Sequence, residues 1–200
     1  MEYRIFPLPL TETESVRGLG YFRDFSGVKR TSIIYSWFIQ GGKNRILIDP
    51  GIDAKDVSRF SSAGLEGKKL ASVEEALSRF YLKPADIDIV ILTHLHYDHF
   101  ANTHKCKNAR ILVQKKELDF ALNPHPLFAG SFKKDWFQEI NFEVIDGDEE
   151  IAPGIQVLLT PGHTAGNQSV MIQTTQGKAV IPGFCATLEH FFPERFTKTG

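Results

Sequence analysis

Three histidines and one aspartate lie within a span of six residues, as His94, His96, Asp98 and His99. They directly follow the apolar run Ile89-Val90-Ile91-Leu92, which predicts a buried strand. Imidazole nitrogen and carboxylate oxygen are ligands for zinc, iron and related divalent ions, and a loop after a strand can direct several of them at one point. The cluster therefore predicts a metal site. A polar loop whose histidines are merely hydrogen-bonded is the alternative.

Two later segments offer further ligand types at predicted strand ends. His163 lies in a turn that is rich in glycine and proline, where small neighbours would let an imidazole approach an ion. Cys185 ends the segment Ile181-Pro182-Gly183-Phe184-Cys185, which places a thiolate ligand in a comparable position. Taken alone, His163 would be a turn residue, and it becomes a ligand candidate because the first cluster exists. For Cys185, metal binding and simple packing stay open.

The composition is that of an ordinary globular chain. Its 200 residues are 42% hydrophobic, which is enough for a core, and the length favours one domain over residues 1–200. With 23 basic and 24 acidic residues, the sequence has no electrostatic signature of a partner such as nucleic acid or a membrane surface. The N-terminus lacks a signal-peptide pattern, and the two cysteines are too few for a disulfide framework. We therefore expect a cytoplasmic protein that acts on a small molecule.

The N-terminal part of the sequence predicts strands. Residues 31–39 are rich in β-branched and aromatic side chains, and residues 45–49 contain a second apolar run between two charged residues. The glycines of the intervening turn, Gly41 and Gly42, make this pair a predicted hairpin. A further strand is expected around residues 4–10. These strands begin a sheet.

The next part predicts a helix and then the strand that carries the histidines. Residues 52–70 are polar and contain two glycines, which predicts a loop or weak helix rather than core. Ser72 and Glu75 have the spacing of a capping box, which predicts a helix through about Tyr81. The strand at residues 87–92 follows and ends at the cluster.

The second half of the sequence predicts one more strand–helix unit and then mostly strands. A helix is expected at 115–122, and strands are expected at 109–113, 142–145, 156–159, 169–174 and 178–181. Hairpins and strand–helix units together predict sheets covered by helices, which is the architecture of a layered α/β (α+β) domain.

The sequence resembles the metallo-β-lactamase superfamily in three motifs spread over most of the chain. They are Leu47-Ile48-Asp49-Pro50-Gly51, His94-x-His96-x-Asp98-His99 and Pro161-Gly162-His163-Thr164. The resemblance implies an αββα sandwich with metal ions at one edge of its two sheets. Within the superfamily, the motifs are most similar to those of the N-acyl homoserine lactone lactonase branch.

The resemblance also implies which residues hold metal. His94, His96 and His163 would bind a first ion, and Asp98 and His99 would bind a second. The implied cofactor is a pair of divalent ions, with zinc as first choice and iron or manganese as alternatives.

Other positions match the family only in part. Asp49 would orient ligands rather than bind metal, although it could also simply cap a turn. Cys185 stands where most relatives with two metals have a bridging aspartate, and Leu188 stands where lactonases often have a tyrosine. The family's last metal-binding histidine has no counterpart before Gly200, so either the sequence is truncated or the second site is incomplete.

The function implied by the resemblance is metal-dependent hydrolysis. A metal-bound hydroxide would attack the carbonyl of a lactone, ester or thioester, and Asp98 would accept or shuttle the proton. An N-acyl homoserine lactone is the first candidate substrate. Two alternatives stay open, an oxidoreductase of the mono-iron sulfur dioxygenase type and a non-catalytic fragment with an uncovered sheet edge. The oligomeric state, including a homodimer, also stays open.

Overall fold

A computed structural model describes residues 2–16, 29–61 and 63–184. Among these residues the strands form two sheets, one of seven strands and one of four. No helix in the described residues is long and apolar enough to cross a membrane.

The seven-stranded sheet combines an antiparallel half and a parallel half. Its strands are β1 (Arg4–Val16), β2 (Lys29–Gln40), β3 (Ile46–Ile48), β4 (Gly67–Lys69), β5 (Ile89–Ile91), β6 (Arg110–Gln114) and β7 (Phe142–Ile145). Their spatial order is β4-β1-β2-β3-β5-β6-β7. Strands β1 to β4 join through antiparallel pairs, and β3, β5, β6 and β7 run parallel.

The second sheet is an antiparallel meander. It consists of β8 (Glu149–Ala152), β9 (Ile155–Leu159), β10 (Gln168–Thr174) and β11 (Gly177–Ile181). The α-helices are short: α1 (Val57–Phe60), α2 (Val73–Ser78), α3 (Tyr97–Phe100) and α4 (Lys115–Leu122).

Alternation along the central strands builds two cores. In β5, Ile89 and Ile91 point toward the second sheet, and Val90 points toward the helices. Because successive side chains of a strand face opposite sides, a strand that is buried on both faces must be apolar throughout. One core lies between the two sheets, and the other lies between the first sheet and helices such as α2 and α4. The result is the predicted mixed α/β sandwich.

The parallel strands set the position of the chemistry. Because β3 and β5 run in the same direction, their carboxyl ends meet at one edge of the sheet. Asp49 directly follows β3, and the histidine cluster follows β5. The loop between β9 and β10 brings His163 to the same edge from the second sheet, where its Nε2 atom lies 3.1 Å from Nδ1 of His96.

Most predicted elements are confirmed, two local predictions are wrong, and one strand was missed. The stretch 52–70 is not excluded from the core, because Ile52 and Val57 are fully buried. It also contains β4, which pairs with the edge of β1. Strand β8 was not predicted, because its glutamates are exposed and the segment lacks an apolar run. The loop at the cluster contains the short helix α3.

The predicted capping box of α2 is confirmed. The Ser72 hydroxyl accepts a hydrogen bond from the Glu75 backbone N–H at 3.2 Å, and the Glu75 carboxylate accepts one from the Ser72 N–H at 2.7 Å. We expect Ser72→Ala to lower the free energy of unfolding by about 1 kcal/mol, because a helix N–H loses its partner. Urea unfolding measures the effect. Ser58→Ala, at an exposed position of α1, is the matched control, and equal losses in both variants would contradict the assignment.

Candidate metal centre

Two loops at the common edge supply three imidazoles to one point. We call residues 93–96 the first ligand loop and residues 160–167 the second ligand loop. The Nδ1 atom of His96 lies 3.0 Å from Nε2 of His94 and 3.1 Å from Nε2 of His163. One ring nitrogen from each of the three histidines lies within 4.8 Å of the others. The structure thus brings together the three residues that the motifs predict for a first ion.

This donor set fits a divalent cation. Zinc binds imidazole nitrogen at about 2.0–2.1 Å with tetrahedral geometry, which places two ligand nitrogens about 3.3 Å apart. The observed separations of 3.0 and 3.1 Å are close to that value. Three ring nitrogens that face one another also satisfy at most part of their hydrogen-bonding capacity internally, whereas a cation would satisfy all three.

A chain of hydrogen bonds fixes the tautomer of His94. The Thr93 hydroxyl donates to Oδ2 of Asp49 at 2.6 Å, so its oxygen is left to accept from Nδ1 of His94 at 3.2 Å. The proton of the neutral imidazole then lies on Nδ1, and Nε2 presents its lone pair to the other two histidines. Asp49 also accepts the Thr93 backbone N–H at 2.8 Å. Asp49 thus contacts Thr93 twice, and Thr93 in turn contacts the predicted ligand His94.

A second pair of predicted ligands lies beside the first three. Nδ1 of His99 contacts Oδ2 of Asp49 at 2.8 Å, and Nε2 of His99 lies 3.6 Å from Oδ2 of Asp98. The His99 and His94 rings are 4.0 Å apart between centroids. When a carboxylate accepts a hydrogen bond from one ring nitrogen of a neutral imidazole, the other nitrogen keeps its lone pair. His99 and Asp98 thus lie next to each other and beside His94, outside the group of three imidazoles whose nitrogens converge.

The surroundings keep the imidazoles neutral. Burial holds the pKa of the fully buried His94 well below its ordinary value, and the neighbouring His99 adds to this effect. Burial lowers the pKa of His96 to about 4, against an opposing effect of the Asp98 carboxylate. His163 keeps an exposed surface, yet desolvation of its ring and the nearby His99 lower its pKa as well. Neutral imidazole is the form that binds a metal, so no proton has to be removed at neutral pH.

None of the other histidines and cysteines among the described residues belongs to this group of three imidazoles. Cys185 and His190 lie outside the described residues. His104 is exposed and its ring contacts the Ala101 carbonyl, and His125 is exposed at the start of a short 3₁₀ turn. Cys106 is a buried free thiol, and burial raises its pKa to about 12, which makes it a packing residue rather than a thiolate ligand.

Aromatic side chains border one side of the cluster. The Phe132 ring lies 5.1 Å from the His96 ring between centroids and 5.5 Å from the Phe120 ring. Phe132 is buried, whereas Phe128, which contacts Phe120 at 5.9 Å, is 51% exposed. Phe132 therefore packs in the core and also places an apolar surface beside the imidazoles.

The sequence did not indicate two buried polar residues that hold the ligand loops. Gln168 donates from its side chain to the Leu92 carbonyl at 2.7 Å, and its backbone N–H donates to the Thr93 carbonyl at 2.9 Å. Glu117, on α4, contacts both ligand loops. Their partners lie many residues away in the chain, so no local spacing could reveal them.

Solved structures with similar folds include metal-dependent hydrolases. An N-acyl homoserine lactone hydrolase, with the product N-hexanoyl-L-homoserine bound at its catalytic metal centre, is similar with a TM-score of 0.76 and 24% identity over 91% of this chain and 76% of that chain. A probable metal-dependent hydrolase from Staphylococcus aureus is similar with a TM-score of 0.70 and 21% identity over 91% of this chain and 73% of that chain. These likenesses support the fold.

Curated sequences give a consistent result. The N-acyl homoserine lactonase AiiA of Bacillus thuringiensis subsp. kurstaki is 31% identical over 157 residues, which cover 74% of this chain and 61% of AiiA. The chain thus matches about three fifths of the length of this relative. The lactonase AttM of Rhizobium radiobacter is 27% identical over 118 residues, which cover 54% of this chain and 45% of AttM. The family model described as the metallo-beta-lactamase superfamily matches residues 30–183, so the chain belongs to this superfamily and resembles its lactonase branch.

Proposed function

We propose that the protein is a metal-dependent hydrolase that opens the ring of an N-acyl homoserine lactone. The observation that carries the proposal is the convergence of His94, His96 and His163, with ring nitrogens 3.0 and 3.1 Å apart. Membership of the superfamily and the 31% identity to AiiA support it. The match covers 61% of the length of AiiA, so lactone hydrolysis by this protein is itself a proposal.

We infer that the cofactor is two zinc ions. His94, His96 and His163 would hold one ion, and Asp98 with His99 would contribute to the other. A bound divalent metal polarises the substrate carbonyl and lowers the pKa of water to roughly 7. Cys185 is a further candidate ligand of the second ion.

The side chains of the protein then have separate tasks. Asp98, with its carboxylate partly exposed beside the imidazoles, can accept a proton from the attacking water and deliver it to the leaving alcohol. Asp49 and Thr93 hold the ring orientations of His99 and His94. Phe132 offers an apolar surface next to His96 against which an acyl chain can pack.

We also propose that the protein acts in the cytoplasm. A chain with two cysteines in 200 residues, one of them a buried free thiol, suits the reducing cytoplasm. We propose that residues 1–200 act as a single domain on a small molecule.

The direct test is hydrolysis of N-hexanoyl homoserine lactone by the purified protein, followed by pH-stat titration. We expect turnover that is lost after dialysis against a chelator and restored by zinc. The reason is that the imidazoles alone cannot polarise a carbonyl or activate water as a bound cation does. Plasma mass spectrometry of the active protein should give about two equivalents of zinc.

Three further measurements distinguish the proposed function from its alternatives. Activity that survives complete metal removal would contradict the mechanism, and turnover of a linear thioester without any lactone hydrolysis would contradict the substrate. Oxygen uptake with one equivalent of iron would identify the oxidoreductase alternative instead.

A further inference from the structure

A buried carboxylate lies between the two ligand loops. Glu117 is in the first turn of α4, and its side chain is fully buried. Burying a carboxylate is costly unless hydrogen bonds compensate for the lost water. The hydrogen-bond partners of Glu117 therefore indicate its structural role.

Each oxygen of Glu117 holds a different loop. Oε1 accepts a hydrogen bond from the backbone N–H of Leu95 at 2.9 Å, and Leu95 lies between His94 and His96 in the first ligand loop. Oε2 accepts from the Thr164 hydroxyl at 2.6 Å and from the Gly166 N–H at 3.0 Å, in the loop that carries His163.

The second ligand loop also packs directly against the backbone of α4. A Cβ atom on Gly166 would lie 2.2 Å from the backbone nitrogen of Glu117 and 2.7 Å from its Cα. No side chain fits there without moving the loop. Glycine at position 166 therefore allows the loop backbone to come close enough for its N–H to reach the Glu117 carboxylate. The distance between the loop and the helix is thus set by contact as well as by hydrogen bonding.

The partners also explain why the residue is a carboxylate. The Leu95 and Gly166 N–H groups can only donate, and the Thr164 hydroxyl donates in this arrangement. An ionised carboxylate is acceptor-only and satisfies donors on both of its oxygens. A glutamine of the same shape would turn an NH₂ group toward one of the loops and lose at least one of these bonds.

We propose that Glu117 is a positioning residue, whose carboxylate holds the two ligand loops at the separation that a bound divalent cation requires. This inference rests on the proposed metal-dependent function, and it adds a residue that touches neither the ion nor the substrate. Glu117 acts through its hydrogen bonds to the two ligand loops. These loops carry the ring nitrogens that lie 3.0 and 3.1 Å apart.

The test is a titration of the metal-free protein with Co²⁺, followed by the visible ligand-field absorption, which reports both affinity and coordination geometry. We compare wild type with Glu117→Gln, Thr164→Val and the double variant. Asp119→Asn is the matched control, because it removes a carboxylate from the same helix at an exposed site that pairs with Lys115. Urea unfolding of each metal-free variant gives the folded fraction.

We expect Glu117→Gln to weaken Co²⁺ binding by the folded protein by about 10- to 100-fold. Losses of this size are typical when a residue that orients metal ligands is replaced. Thr164→Val should weaken it by about tenfold or less, since one of three hydrogen bonds is lost. The double variant should be no weaker than Glu117→Gln alone, because Thr164 acts through the same carboxylate. Asp119→Asn should bind like wild type.

Wild-type affinity in both single variants would overturn the proposal, and so would losses that merely follow the unfolded fraction. If Glu117→Gln does not fold, Thr164→Val decides, because it keeps the carboxylate and both backbone donors. Failure of the proposed function has a different signature, which is normal Co²⁺ binding by the wild type without lactone hydrolysis.

Discussion

His96→Ala is expected to lower kcat/KM for lactone hydrolysis by about a thousandfold, which corresponds to about 4 kcal/mol of lost transition-state stabilisation. The reason is its central position, since Nδ1 of His96 is the atom that lies within 3.1 Å of both other imidazoles. Without it, two nitrogens remain for the first ion, and zinc bound by two protein ligands is held too weakly for catalysis. Steady-state kinetics and metal analysis of the same preparation measure both effects.

His104→Ala is the matched control for this variant. His104 is an exposed histidine eight residues further along the chain, and its ring contacts the nearby Ala101 carbonyl. It should keep wild-type activity and metal content. Full activity in His96→Ala would contradict the assignment of the site, and equal losses in both variants would indicate a general effect on folding.

Asp49→Asn is expected to have the second-largest effect, on metal affinity and stability together. Asp49 is 2% exposed and receives the Thr93 N–H at 2.8 Å, the Thr93 hydroxyl at 2.6 Å and Nδ1 of His99 at 2.8 Å. An amide cannot accept all three, so at least one buried donor loses its partner at a cost of about 1–3 kcal/mol. Because His94 and His99 both lose their orientation, metal affinity should fall by about 10- to 100-fold.

Asparagine is the informative replacement because the backbone at this position is unusual. Asp49 has φ of 51°, in the left-handed region that asparagine adopts more readily than alanine does. Calorimetric titration with zinc and urea unfolding measure the two effects. Asp146→Asn, at an exposed position, is the control and should change neither quantity. Unchanged zinc affinity in Asp49→Asn would mean that the carboxylate only closes a turn.

The sequence predicted those features that depend on neighbouring residues. The helix Lys115–Leu122 and the strand Phe142–Ile145 have the predicted bounds, because apolar spacing and turn residues mark them locally. The histidine cluster could be found for the same reason, since its ligands are compact in the chain. Strand β8 could not, because Glu149 and Glu150 are exposed on an outer strand, where a polar sequence is as suitable as an apolar one.

Features formed between distant residues had no sequence signal. Glu117 is an unremarkable acidic residue in a helix until the fold brings Thr164 and Gly166 beside it, 47 and 49 residues along the chain. The same holds for Gln168, whose backbone and side chain reach the loop after β5 from the other sheet. Long-range hydrogen bonds of this kind follow from topology and not from periodicity.

The origin of the ligands has a mechanical consequence. His94 and His96 follow a strand of the seven-stranded sheet, and His163 precedes a strand of the four-stranded sheet. An ion held by all three is therefore a cross-link between the two halves of the sandwich. By mass action, zinc at a hundred times its dissociation constant would add about 2.7 kcal/mol to the free energy of unfolding. Selection for tight metal binding would then also be selection for a sandwich that resists opening.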